Sequence, residues 1–163
     1  MEKNAVYNGK VSALGTEGEG IVNYEGTTAF VPFCLVGEDV DFKALKVKGG
    51  IAYGKVEKIN LKSSDRVDAP CPVFDRCGGC DIQHMNYAAQ LEFKKQTVSA
   101  ALKKIGGIEA EVNNCVPCER QFRYRNKLSL PIGVGKNGET VCGFYARHSH
   151  RIVETDDCLI QSE

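Results

Sequence analysis

At 163 residues the chain has room for one ordinary domain or two small ones and is too short for a complete multidomain enzyme. Its 21 Lys and Arg cancel its 21 Asp and Glu, and 42% hydrophobic against 26% charged residues is the balance of a folded protein, which excludes a disordered chain and a globally basic nucleic-acid binder. No run approaches the ~18 apolar residues of a membrane span, and the opening MEKNAVYNGK lacks the apolar stretch of a secretory signal. A cytoplasmic location without a membrane partner is therefore expected, and in that reducing compartment eight cysteines point to metal or cluster ligation before a disulfide framework.

Residues 5–14, 20–24, 27–32, 39–47 and 51–59 read as five short strands, alternating or β-branched and separated by glycine-bearing turns, which predicts a small barrel. The glycine-rich Gly15-Thr16-Glu17-Gly18-Glu19-Gly20 lies between strands and reads as a hairpin turn, since a phosphate loop would open a helix. Residues 60–70 are polar and weakly patterned, as a linker would be. Residues 86–105 carry the one strong helix signal: Tyr87, Leu91, Val98, Ala101, Leu102 and Ile105 recur at helical spacing, Asn86 can cap the start, and Lys103, Lys104 and Gly106 mark the end. That stripe is expected to pack into a core. Residues 122–131 and 141–153 read as two strands joined by the turn at 133–138, a hairpin in an α+β module. The expected fold is thus β-rich α+β, a five-stranded barrel followed by a cysteine-bearing α+β module.

Cys71, Cys77 and Cys80 form Cys-x5-Cys-x2-Cys within CPVFDRCGGC, with 77 residues between Cys80 and Cys158. An iron–sulfur cubane needs four converging thiolates, and Gly78 and Gly79 let the chain turn between two of them and aim N–H groups at sulfur. The competing reading is a zinc ribbon pairing Cys77 and Cys80 with Cys115 and Cys118, although its 34-residue interval exceeds the roughly 15–20 usual for such sites. Cys34 and Cys142, in apolar strand contexts, read as small core residues. His148 and His150 flank Ser149 and would share a strand face, with partial burial the ordinary expectation, while isolated His84 is assigned no role.

Charge is uneven despite the neutral total. Between residues 119 and 151 seven basic residues face two acidic ones, a local net charge of +5. Strand alternation would set Arg123, Arg125 and Lys127 in a row that tracks a nucleic-acid backbone, with Arg147 and His148 in support, and single-stranded or looped RNA is the sensible partner. The acidic residues Glu154, Asp156, Asp157 and Glu163 surround Cys158 and weigh against its ligating an anionic cluster.

Together these residues resemble the N-terminal half of the iron–sulfur-containing RNA (uracil-5-)-methyltransferases, the group that methylates uridine in 23S ribosomal RNA. GTEGEGIVNYEGTTAFVPFCLVGEDV resembles their TRAM module, CPVFDRCGGCDIQHMNYAAQLEFKKQ their cluster loop and following helix, and RYRNKLSLPIG, GFYARHSH and IVETDDCLIQ their central domain. The resemblance implies an OB-like TRAM barrel over 1–60 that binds RNA, a linker over 61–70, and a central domain over 71–163 in which Cys71, Cys77, Cys80 and Cys158 hold a [4Fe-4S] cluster. Cys115 and Cys118 have no place in it. The family reaction further implies S-adenosylmethionine, a nucleophilic cysteine that adds to uracil C6 and a base for the C5 proton. None is visible here, so the chain reads as truncated before the catalytic domain, inactive alone, monomeric, and a partner of ribosomal RNA. A freestanding iron–sulfur electron carrier and a zinc-ribbon RNA-binding protein remain the alternatives.

Overall fold

Period-two alternation with glycine punctuation builds the first half of the chain. In the computed structural model, which describes residues 1–162, β1 (Val6–Leu14), β2 (Gly20–Tyr24), β3 (Thr27–Val31), β4 (Asp39–Lys48) and β5 (Ile51–Leu61) close into a barrel of order β1-β2-β3-β5-β4. Every pairing is antiparallel except that of β3 with β5. Closure leaves no open edge and sends alternate side chains inward. Val11, Val22, Ala29, Val31, Cys34, Val40, Phe42 and Ala52 fill the interior. Gly54 is required there because a Cβ at that position would lie 2.9 Å from the Phe42 ring.

The polar stretch after β5 is pinned to the barrel. Glu38 is fully buried and accepts from the Leu35 N–H (2.8 Å), the Ser63 N–H (3.2 Å), and Nε (2.5 Å) and Nη2 (2.8 Å) of Arg66. Arg66 also donates to the Phe33 carbonyl at 2.7 Å. Burial alone would raise the Glu38 carboxyl, but these donors outweigh it and hold the group below its ordinary value. Removing one partner of such a pair strands the other charge, at a cost of about 3–5 kcal/mol. Beyond Arg66 the chain pairs with itself, Val67 N–H donating to His84 O and Asn86 N–H to Asp65 O.

The helix α1 (Tyr87–Lys104) begins where expected, with the Asn86 side chain accepting from Ala89 N–H at 2.9 Å, and ends on Lys103 and Lys104. Its expected role in a core is corrected: none of its residues is buried, and Val98, with Ile105 just past the end, is exposed. A cleft of about 950 Å³ is lined by Leu14, Ile21 and Phe30 of the barrel and by Ala89, Phe93 and Thr97 of the helix. Helical spacing reports a stripe but not what covers it.

Two further strands were expected, and three short ones form: β6 (Ile132–Val134), β7 (Thr140–Tyr145) and β8 (Ile152–Glu154), an antiparallel sheet of order β6-β7-β8. Residues 122–131 are not a strand. Arg123 sits at φ +58°, a left-handed conformation that an extended run cannot contain, and Arg125 makes a lone bridge to Gln161. The expected strand over 141–153 is broken by a turn in which His148 has φ +51°, so its imidazole and that of His150 are exposed on a loop instead of lying along a strand. Cys142 points outward and is exposed, which corrects its reading as core.

Candidate functional site

The loop carrying the first three cysteines is anchored by what lies between them. Val73 and Phe74 are buried, and Phe74 meets Phe33 of the barrel edge-on at 5.1 Å. Cys71 and Cys77 pack against Val73, Ala146 and Val153, which ties the loop to the end of β7 and to β8. The tie is also main-chain: Gly78 N–H donates to Tyr145 O at 2.9 Å, and Cys77 bridges Ala146. A Cβ on Gly78 would stand 2.9 Å from Tyr145 O and 3.1 Å from Arg147 N, so that crossing admits only glycine.

Cys77 and Cys80 lie within electrostatic reach of Cys71 and Cys158 across this crossing. Burial raises Cys77 above the ordinary thiol value, Cys71 and Cys158 raise it further, and Gly79 N–H, 3.4 Å from its sulfur, opposes them together with Arg147. Cys80 is likewise raised by burial and by Cys77, Cys158 and Cys71, against a hydrogen bond with Gln83. Cys34 is a different case, pushed up to about 12 by burial within the barrel and by Glu38, an inert core thiol. Cys118 is exposed, its sulfur 3.1 Å from Arg120 O, and Cys115 is half-buried.

Of the acidic residues around Cys158, Asp157 is drawn away by a basic partner, and Glu163 lies outside the described residues. Asp157 turns to Arg123 in a two-pronged ion pair of 2.7 and 2.6 Å, and Arg123 holds its carboxyl below the usual carboxylate range. Arg123 N–H and Arg125 N–H donate to Leu159 O and Ile160 O, both at 2.9 Å, so the basic segment and the stretch around Cys158 brace each other. Among the described residues no three His, Cys, Asp or Glu side chains gather closely enough to hold a single metal ion. The donor set nevertheless suits a larger all-thiolate group, because four neighbouring sulfurs meet backbone N–H and a cation, and the buried Arg147 Nε has no protein partner.

Arg147 joins the loop to the barrel. It pairs with Asp81 at 2.5 Å, donates to Cys80 O at 3.2 Å and lies 5.1 Å over the Phe33 ring. Of the residues expected to contact RNA, Arg123 and Arg147 therefore have internal partners, whereas Arg125, Lys127 and His148 are exposed. Arg125 lines a cleft of about 530 Å³ with Arg120, Lys94, Tyr124 and Cys80, between the cysteine loop, α1 and the basic segment. Sequence reasoning missed three features: Arg66 on Glu38, the outward row of Phe30 and Tyr53 that alternation in β3 and β5 already encodes, and His84, which carried no local signal.

No family model matches the chain. An uncharacterized RNA methyltransferase of Clostridium tetani is 44% identical over 163 residues, covering all of this chain and 35% of that protein. One from Halalkalibacterium halodurans is 42% identical over 164 residues, covering 100% and 36%. The crystal structure of Pyrococcus abyssi tRNA (uracil-54, C5)-methyltransferase, in complex with S-adenosyl-L-homocysteine, aligns with 96% of this chain and 33% of its own at a TM-score of 0.60 and 29% identity. Over its whole length the chain is thus similar to one region of proteins named RNA methyltransferases. It spans about a third of the length of the relatives it matches. Among its described residues, no helix is long and apolar enough to cross a membrane.

The seam between barrel and cysteine loop carries a titratable group. His84 is 3% exposed, packed against Phe33 and Phe74, and neither ring nitrogen has a partner. Burial, reinforced by Arg66 and Arg147, lowers it from an ordinary 6.5 to about 4. The unfolded chain then takes up a proton that the folded chain refuses, so stability falls as pH drops from 6.5 towards 4. Chemical denaturation across that range should show a loss on the order of a few kcal/mol, and His84→Phe should flatten the slope; an unchanged slope would place the proton uptake elsewhere.

Proposed function

We propose that the chain is the RNA-recognition and cluster-holding portion of an RNA (uracil-C5)-methyltransferase. The observation that carries this reading is the likeness of nearly the whole chain to one region of a uracil-C5 methyltransferase. Ribosomal RNA is the proposed substrate, on the resemblance of CPVFDRCGGC and its following helix. The solved neighbour's tRNA substrate makes tRNA the second reading. The methyl donor, S-adenosylmethionine, and the nucleophile that attacks the base belong to the two thirds of the relatives' length that this chain does not span.

Cys71, Cys77, Cys80 and Cys158 hold a [4Fe-4S] cluster in this proposal, which supplies four iron–thiolate links when bound. One feature supports this set of four: the thiols that press on Cys77 and Cys80 are Cys71 and Cys158. Gly79 N–H and the Arg147 cation stabilise charge on sulfur, and the raised thiols give up protons on loading. The cluster acts as a staple, closing the long excursion from residue 71 to residue 158 in a module whose own core holds few buried side chains.

Arg125 and Lys127 hold the RNA backbone beside that loop, with barrel and loop forming one binding surface. Three measurements test this reading. Cys77→Ala should abolish the brown chromophore and make residues 71–162 protease-sensitive; a coloured, equally resistant variant would refute the staple. Arg125→Glu should weaken RNA binding and flatten its dependence on salt, the log–log slope losing about one unit per phosphate contact. Unchanged affinity across a salt series would return Arg125 to an ordinary solvated surface, and a comparison of ribosomal and transfer RNA fragments separates the two substrate readings.

A further inference from the structure

A third recess, bordered by Arg147, lies on the outer wall of the barrel. Cross-strand register puts Ile21, Phe30, Tyr53 and Lys46 in one row over four adjacent strands. The Phe30 and Tyr53 rings stack with centroids 5.8 Å apart and 25° between planes, Tyr53 remains 52% exposed, and Lys46 Nζ stands 5.9 Å from its ring centre. The Phe33 ring, Arg147 and His148 form the facing side, and the recess encloses about 480 Å³. An exposed, stacked aromatic pair with a cation beside it is costly to leave in water unless something lies on it.

The carboxylates of Glu17, Glu19 and Asp81 line the same recess. Asp81 is paired with Arg147 and one oxygen of Glu19 accepts from Glu17 N–H, and the remaining carboxylate oxygens disfavour a phosphate there and can accept N–H groups of the kind on a base edge. Flat rings for stacking, flanking cations for the backbone on either side and acceptors for an amino group match one unstacked nucleobase better than an apolar peptide.

We propose that this recess takes a single splayed-out base of the bound RNA, stacked on Tyr53 and Phe30, at the junction of barrel and cysteine loop. The proposal rests on the RNA reading above. It adds a base-binding pocket to the backbone contacts of Arg125 and Lys127, so that one strand is held at two points.

The test measures the affinity of the full chain for a mixed-sequence single-stranded RNA oligonucleotide and for a matched strand with abasic positions, using wild type, Tyr53→Ala and Tyr53→Phe, with thermal melts to verify folding. Tyr53→Ala should lose about tenfold or more on the intact strand and little on the abasic one, and Tyr53→Phe should bind like wild type. No loss, or the same loss on both strands, overturns the pocket while leaving the RNA reading intact, and would assign the recess to a polypeptide segment. A wild-type chain that binds neither strand overturns both.

Discussion

One main-chain crossing positions everything proposed for this molecule. Where Gly78 meets Tyr145 and Cys77 bridges Ala146, segments far apart in sequence are locked at a spacing that admits no side chain. Closing so long a loop costs chain entropy. The enclosed apolar cluster of Val73, Ala146 and Val153 offsets only part of it, which is the physical argument for an inorganic staple at the same place. The crossing also fixes Arg147, since the residue that follows Ala146 must turn toward Cys80 and Asp81 on one side and the Phe33 ring on the other.

The seam between the two halves is electrostatically demanding. A fully buried carboxylate, Glu38, is matched by Arg66 from the stretch after the barrel, and His84 is held neutral among aromatic rings nearby. Buried pairs of this kind add little net stability but penalise any other arrangement, because either charge alone in that environment is far worse. The relative placement of barrel and loop is accordingly specific, and both proposed RNA contacts, the cleft at Arg125 and the recess at Tyr53, border that seam.

How much of this was legible in the sequence depends on the range of the forces involved. Alternation in 5–61 and the cap at Asn86 are local signals, and the five strands and the helix fall within two residues of their expected bounds. The stripe Val98, Ala101 and Ile105 was legible as a stripe, but nothing local states whether a core exists to receive it. The basic run at 123–127 alternates like a strand, yet Asp157 engages Arg123 and the backbone there leaves the extended region, an outcome set by a partner 34 positions away. The neighbourhood of Cys158 and the other three cysteines was readable only through the motif, and the outward aromatic row only by asking which alternate residues face solvent.

Recognition of RNA and retention of a cluster are thus proposed as two uses of one scaffold, the cysteine loop supplying the wall against which barrel and basic segment are set. The claim on which this account depends is that the four thiols share one inorganic core. Iron, acid-labile sulfide and zinc analysis of anaerobically purified protein tests it most directly. About four irons and four sulfides per chain, with negligible zinc, is the predicted result; a colourless preparation containing stoichiometric zinc and no iron would contradict it.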